Sequence, residues 1–126
     1  MSLQTPLNKV RGLGSAKEGT GHFWMQRVTA VANIPLVLFL VWTILTTAGA
    51  DHATVRATLS EPFTGLALLL LVLSGTIHMR LGMQIIIEDY IRSEGLKLMA
   101  LLLNTFFSIL IAVACIYAVM KLALGA

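Results

Sequence analysis

Three long apolar runs, each bounded by polar or charged residues, divide the chain. They are read as spans over residues 27–47, 63–87 and 96–124. Each reaches the roughly 20 residues that an α-helix needs to cross a hydrocarbon core of about 30 Å. Between the first two runs, AGADHATVRATLSE at 48–61 is a polar connection, a loop or a short surface helix. Between the last two, EDYIRSEG at 88–95 turns the chain, with Gly95 as the breaker. Residues 1–21 are polar and carry Lys9, Arg11, Lys17 and Glu18, a surface segment without the apolar core and small-residue cleavage site of a secretory signal. The pattern predicts an all-α integral membrane protein: one domain over residues 1–126, built as a bundle of three transmembrane helices.

Individual residues sharpen that outline. Trp24 and Trp42 stand toward the two ends of the first span, where interfacial aromatics belong. Pro62 suits the first turn of the second span. Pro35 lies inside the first, where it removes a backbone donor and crowds the carbonyl of Val31, so a kink is expected there, with Asn33 available to the freed groups. Asn104 and Ser108, four apart in the third span, can hydrogen-bond to neighbouring helices. Basic residues set the orientation. Lys9, Arg11, Lys17, Arg27, Arg92 and Lys97 gather on one side, against Arg56 and Lys121 on the other, which predicts N-terminus inside and C-terminus outside.

Composition agrees with a bilayer as solvent. Of the 126 residues 57% are hydrophobic and only 12% charged, with a mean hydropathy of +0.86. The net charge of +3 sits mostly at ends and loops, without the basic-aromatic platform that binds nucleic acid. The single cysteine, Cys115, permits neither an internal disulfide nor a thiolate-held cluster.

The chemistry concentrates in SGTIHMRLGMQIIIEDY, residues 74–90. On a helix, Gly75, His78, Gly82, Ile85 and Asp89 fall on one stripe, which puts a histidine between two glycines. A histidine at that depth is costly without a partner, and the absent side chains on either side leave room for a flat, large group such as a porphyrin edge. A ligating imidazole donates from its second nitrogen, for which Ser74, four residues earlier, offers acceptors. Asp89 shares the face about 16 Å away along the rise, beside Tyr90 at the inner interface. Glu88 and Arg92, four apart, can pair along the helix. Arg80 points about 200° away from His78, and the sequence names no partner for it. Arg27 begins the first span either as a positive-inside anchor or as a planar cation suited to a carboxylate.

Three blocks carry a resemblance: GTGHFWMQRVTAV at 19–31, HMRLGMQ at 78–84, and the EDY that follows. In these, and in their order and spacing over most of the chain, the sequence resembles the hydrophobic membrane-anchor subunits of succinate dehydrogenase. The resemblance implies that His78 is an axial ligand to the iron of a b-type haem; beside such a haem, the carboxylate that the second reading of Arg27 calls for is a propionate, with the positive-inside anchor as its alternative. It also implies that Tyr90 donates to a carbonyl oxygen of ubiquinone, with Asp89 supporting that site and its proton supply. His22 and His52 lie near opposite membrane ends, each about 15 Å or more from the middle by helix rise. A second histidine ligand is then expected from another polypeptide. The implied partners are a second membrane anchor of cytochrome b556 type, an iron-sulfur subunit and a flavoprotein subunit. The implied setting is the bacterial inner (cytoplasmic) membrane, ahead of the mitochondrial inner membrane. Nothing in the chain points to catalysis on its own: it holds no flavin-binding signature, no cysteine set and no nucleotide loop. Two other readings stay open at this stage: a haem-free structural anchor in which His78 only packs, and a small transporter subunit with Arg80 and His78 along a solute path.

Overall fold

Inside a bilayer no water can satisfy backbone N–H and C=O groups, so each apolar run closes its own hydrogen bonds as helix. The computed structural model, which describes residues 5–12 and 19–124, is helical throughout its ordered elements. They are α1 (Pro6–Val10), α2 (Gly19–Thr47), α3 (His52–Ser60), α4 (Pro62–Tyr90) and α5 (Glu94–Ala123). Lys17, Glu18 and the side chain of Lys9 lie outside the described residues. The three long helices have 29, 29 and 30 residues. At 1.5 Å per residue each is about 43–45 Å long, enough to cross the hydrocarbon core and reach the headgroup layers on both sides.

That length explains the first departure from expectation. α2 starts at Gly19 rather than at residue 27, and takes His22, Trp24 and Gln26 into the helix. Hydropathy stops at the first arginine, whereas the backbone gains from continuing its hydrogen bonds to the end of the headgroup layer. The second departure is the turn after α4. Ile91 (φ −93°, ψ 110°) and Ser93 (φ −72°, ψ 121°) are extended and reverse the chain, while Gly95 already lies in the first turn of α5. The glycines that end helices are Gly12 after α1, with φ +64°, and Gly49 after α2, with φ +81°, both in the left-handed region. α2 runs unbroken through Pro35. Asn33 does not resolve its neighbourhood completely, because its buried Oδ1 has no partner among the described residues.

The polar connection at 48–61 resolves into α3, the surface helix that was one of its two expected forms. Asp51 caps it by accepting from the Thr54 N–H at 3.2 Å. Hydrogen bonds from Thr54, first its side chain and then its backbone, hold the Asp51 carboxyl below the ordinary carboxylate range. At the other end the Ser60 hydroxyl lies 2.7 Å from the Arg56 carbonyl and 2.9 Å from that of Leu122, which ties α3 to the end of α5. Pro62 then opens α4 at its first turn, as its fixed φ favours.

α4 is the middle helix. It packs against α2 on one side and α5 on the other, while no Cα of α2 comes within 8 Å of one in α5 among the described residues. The bundle is therefore an open row with two grooves. Its contact faces are mostly small or hydroxylic: Thr29, Thr43, Thr64, Gly65, Ala67 and Ser108 are buried, together with Leu81, Ile87 and Val119. Large apolar side chains face outward, among them Trp42, Leu45, Phe106 and Leu110. This inverted distribution is what a lipid solvent selects, since apolar surface gains nothing by leaving lipid and close backbone approach gains dispersion contacts. A Cβ at Gly65 would stand 3.7 Å from the Ala123 Cβ. Across α2 and α4, Phe39 and Phe63 meet edge to face at 5.5 Å, an arrangement worth about 0.5–1.5 kcal/mol beyond its burial. Asn104 does reach a neighbouring helix, its Nδ2 donating to the Arg80 carbonyl at 3.0 Å, whereas Ser108 bonds back to Asn104 within α5 at 2.7 Å.

Candidate functional site

His78 lies where α2 crosses α4. Its Nδ1 is 3.1 Å from the hydroxyl oxygen of Thr29, a residue only 5% exposed. The expected partner, Ser74, is turned elsewhere: its hydroxyl donates to the Thr29 carbonyl at 3.3 Å. Thr29 thus engages α4 twice, through side chain and backbone, and Nε2 of His78 has no partner among the described residues. Sequence reasoning missed Thr29 because its signal is ambiguous. A threonine in an apolar helix usually bonds back to its own preceding turn. Thr29 does so as well, 2.8 Å from the Met25 carbonyl and 3.2 Å from that of Gln26.

The two glycines beside His78 differ. A Cβ at Gly75 would meet nothing within 4 Å, so no other side chain of this chain covers the helix there. A Cβ at Gly82 would stand 3.3 Å from Nε2 of Gln26, so on this side the space is taken by a side chain from α2. The expectation of room on both sides is corrected accordingly. It failed because the occupant belongs to another helix. The Oε1 of Gln26 is buried without a partner among the described residues.

From His78 an open groove of about 290 Å³ runs toward the N-terminal end of α2, lined by Phe23, Gln26, Arg27, Ala30, His78 and Ile85. It brings together Arg27 and His78, two of the residues singled out from the sequence. The Arg27 guanidinium lies 4.8 Å from the centre of the Phe23 ring, a cation–π contact worth about 0.5–1 kcal/mol at an exposed site. Asp89 and Tyr90 are not part of this groove. They are the last residues of α4, and Tyr90 is 82% exposed with its ring free at the helix end. Ile85 links the two regions, one turn before Asp89 on the same stripe. Glu88 accepts from Gln84 at 2.8 Å, in place of the expected pairing with Arg92.

His22 is exposed in the first turn of α2, seven residues before Thr29. Its level is therefore about 10 Å from that of His78, less than the 15 Å expected from the helix centre, because the crossing falls at Thr29 and not midway along α2. His52 opens α3 at the opposite end. Neither histidine lines the groove, and among the described residues no group of three or more His, Cys, Asp or Glu gathers to hold a metal. Arg80 is exposed on the other groove, between α4 and α5, beside Leu73, Thr76, Ile77 and Ser108.

A haem of b type fits the donor set on two counts. His78 has one nitrogen engaged and one without a partner among the described residues on a side chain that lines a groove, and a cation stands along that groove; the open backbone at Gly75 lies on the other side of His78. The fit is to one side of such a group only, as the groove is open.

Residues 1–113 match the family of the succinate dehydrogenase/fumarate reductase transmembrane subunit. The chain is similar to the succinate dehydrogenase hydrophobic membrane anchor subunit of Paracoccus denitrificans, 33% identical over 97% of this chain and 94% of that one. It is also similar to the subunit of the same name from Rickettsia bellii, 36% identical over 88% and 89%. The succinate dehydrogenase membrane anchor subunit of Reclinomonas americana is 30% identical over 69% of this chain and 75% of that one. With three helices long and apolar enough to cross a membrane, and with this match over most of its length, the chain belongs to the succinate dehydrogenase/fumarate reductase transmembrane subunit family.

Proposed function

We propose that this chain anchors a succinate:quinone oxidoreductase in the bacterial inner membrane, N-terminus inside and C-terminus outside. It would supply one histidine ligand, His78, to a b-type haem shared with a second anchor of cytochrome b556 type, and contribute Tyr90 and Asp89 to a ubiquinone site. The observation that carries this reading is the state of His78: Nδ1 is engaged at 3.1 Å by Thr29, which leaves Nε2 as the free nitrogen on a side chain lining an open groove.

When bound, a haem would supply a one-electron redox centre. The protein residues do the rest. His78 would offer Nε2 to the iron, and Arg27, a permanently charged planar donor, would hold a propionate. Tyr90 donates its hydroxyl to a quinone carbonyl. Asp89 sits beside it at the headgroup level, where a carboxylate can pass protons from water. Ubiquinone takes up two electrons and two protons to become the quinol. The electrons come from an iron-sulfur subunit, itself reduced by a flavoprotein that oxidises succinate. In this arrangement the chain is an anchor and a half-site, without catalysis of its own.

The test is a reduced-minus-oxidised visible spectrum of the purified complex beside His78→Ala, His22→Ala and Tyr90→Phe variants. The b-type signal is expected to vanish or shift in His78→Ala and to persist in the other two. Tyr90→Phe is expected to lower succinate–ubiquinone reduction while succinate oxidation by a soluble dye continues. An unchanged spectrum in an assembled His78→Ala complex would move ligation to other subunits. Unaltered quinone reduction in Tyr90→Phe would remove that tyrosine from the site.

A further inference from the structure

We infer that Thr29 is a positioning residue for His78, fixing which ring nitrogen carries the proton and thereby the donor strength of the nitrogen that remains. This rests on the proposed role of His78 as an iron ligand, and it assigns a function to a residue outside that ligand.

The assignment follows from counting protons. The Thr29 hydroxyl has one, and three atoms compete near it: the Met25 carbonyl at 2.8 Å, the Gln26 carbonyl at 3.2 Å and His78 Nδ1 at 3.1 Å. Carbonyl oxygens can only accept, and the shortest contact goes to one of them. Toward His78 the hydroxyl then presents a lone pair, so Nδ1 must carry the hydrogen and donate it. Nε2 is left with the lone pair that binds a metal.

The tautomer is thus assigned by the network of heavy atoms around it. Thr29 is itself held, because its carbonyl accepts from Ser74 at 3.3 Å and its β-branch restricts rotation of its hydroxyl.

An Nδ1–H···O bond pushes electron density onto the ring and makes Nε2 a stronger donor, which favours ferric over ferrous iron. Loss of such an outer partner commonly costs 10- to 100-fold in metal affinity. If that loss falls on the ferric state, each tenfold raises a one-electron midpoint potential by about 59 mV.

The experiment compares the assembled complex carrying Thr29→Val, which keeps the shape and removes the acceptor, with Thr29→Ser, which keeps the acceptor. Readouts are the haem midpoint potential by redox titration and the low-spin ferric electron paramagnetic resonance spectrum. A raised midpoint and altered spectrum in Thr29→Val, with Thr29→Ser close to the parent, is the expected result. An unchanged midpoint and spectrum in Thr29→Val, in a complex whose haem is lost in His78→Ala, overturns the inference and leaves the ligand assignment standing. Haem unaffected by His78→Ala overturns both. Should Thr29→Val fail to assemble, Thr29→Cys takes its place, with a thiol of similar volume and weaker acceptor strength. Its midpoint is expected above that of Thr29→Ser, and equality would count against the inference.

Discussion

Gly75 gives the sharpest test of whether the proposed haem lies against α4. In a helix interior, replacing glycine by alanine gains about 1 kcal/mol in backbone terms. At Gly75 the new Cβ meets nothing within 4 Å, so the chain itself offers no steric cost to offset that gain. Gly75→Ala and Gly75→Leu are therefore expected to insert and assemble as the parent does. With a haem edge against this backbone, the leucine side chain intrudes on an occupied space. Overpacking of that kind costs about 1–3 kcal/mol, which is about a 5- to 150-fold loss of affinity. The assay is haem content per flavin in the purified complex, measured by pyridine haemochrome after dilution. Gly75→Leu should lose haem, Gly75→Ala should lose less, and both should keep stoichiometric subunits. Full haem content in Gly75→Leu would refute the placement, because it would mean that the open side of His78 faces lipid or protein and not the porphyrin.

Three further outcomes follow from the packing. Asn104→Leu removes the 3.0 Å bond to the Arg80 carbonyl and should lower the stability of the α4–α5 pair by about 0.6 kcal/mol, up to about 1.7, as read by unfolding of the complex in detergent. Gly65→Leu should separate the start of α4 from the end of α5, where only 3.7 Å is available to a Cβ, and a spin-label distance between those two helix ends should lengthen; Gly65→Ala should leave it unchanged. Asp51 titrates the start of α3. Its carboxyl is held below the ordinary range, so its capping is fully present above the unfolded-state value near 3.8 and is lost as pH falls through the lower folded value. Amide exchange at Thr54 should quicken below that point, and Asp51→Asn should abolish the pH dependence while keeping the cap.

The turn between α4 and α5 shows how local signals mislead. Glycine marked the break in EDYIRSEG, yet the reversal runs through the extended Ile91 and Ser93 and leaves Gly95 helical. Glycine permits a break without requiring one. The early start of α2 at Gly19 has a similar origin, since hydropathy measures the hydrocarbon layer and a helix continues beyond it.

The stripe of Gly75, His78, Gly82, Ile85 and Asp89 was legible in the sequence because it is a property of one helix, set by 3.6 residues per turn. For the same reason the number of spans, their alternating direction and the level of Tyr90 at a helix end could be read from residue order alone. What the sequence could not supply was the register between helices. Thr29 and His78 are 49 residues apart, and whether they meet depends on how far α2 slides along α4. Small hydroxylic contact faces fix that slide, and no periodicity records it. The same register places Gln26 over Gly82, leaves Gly75 open and turns Ser74 from the expected partner of His78 into a partner of Thr29. The sequence by itself determined which residues share a helix face. Only the tertiary structure decided which of them meet, because contacts across helices depend on axial offset and rotation, which many side chains set together.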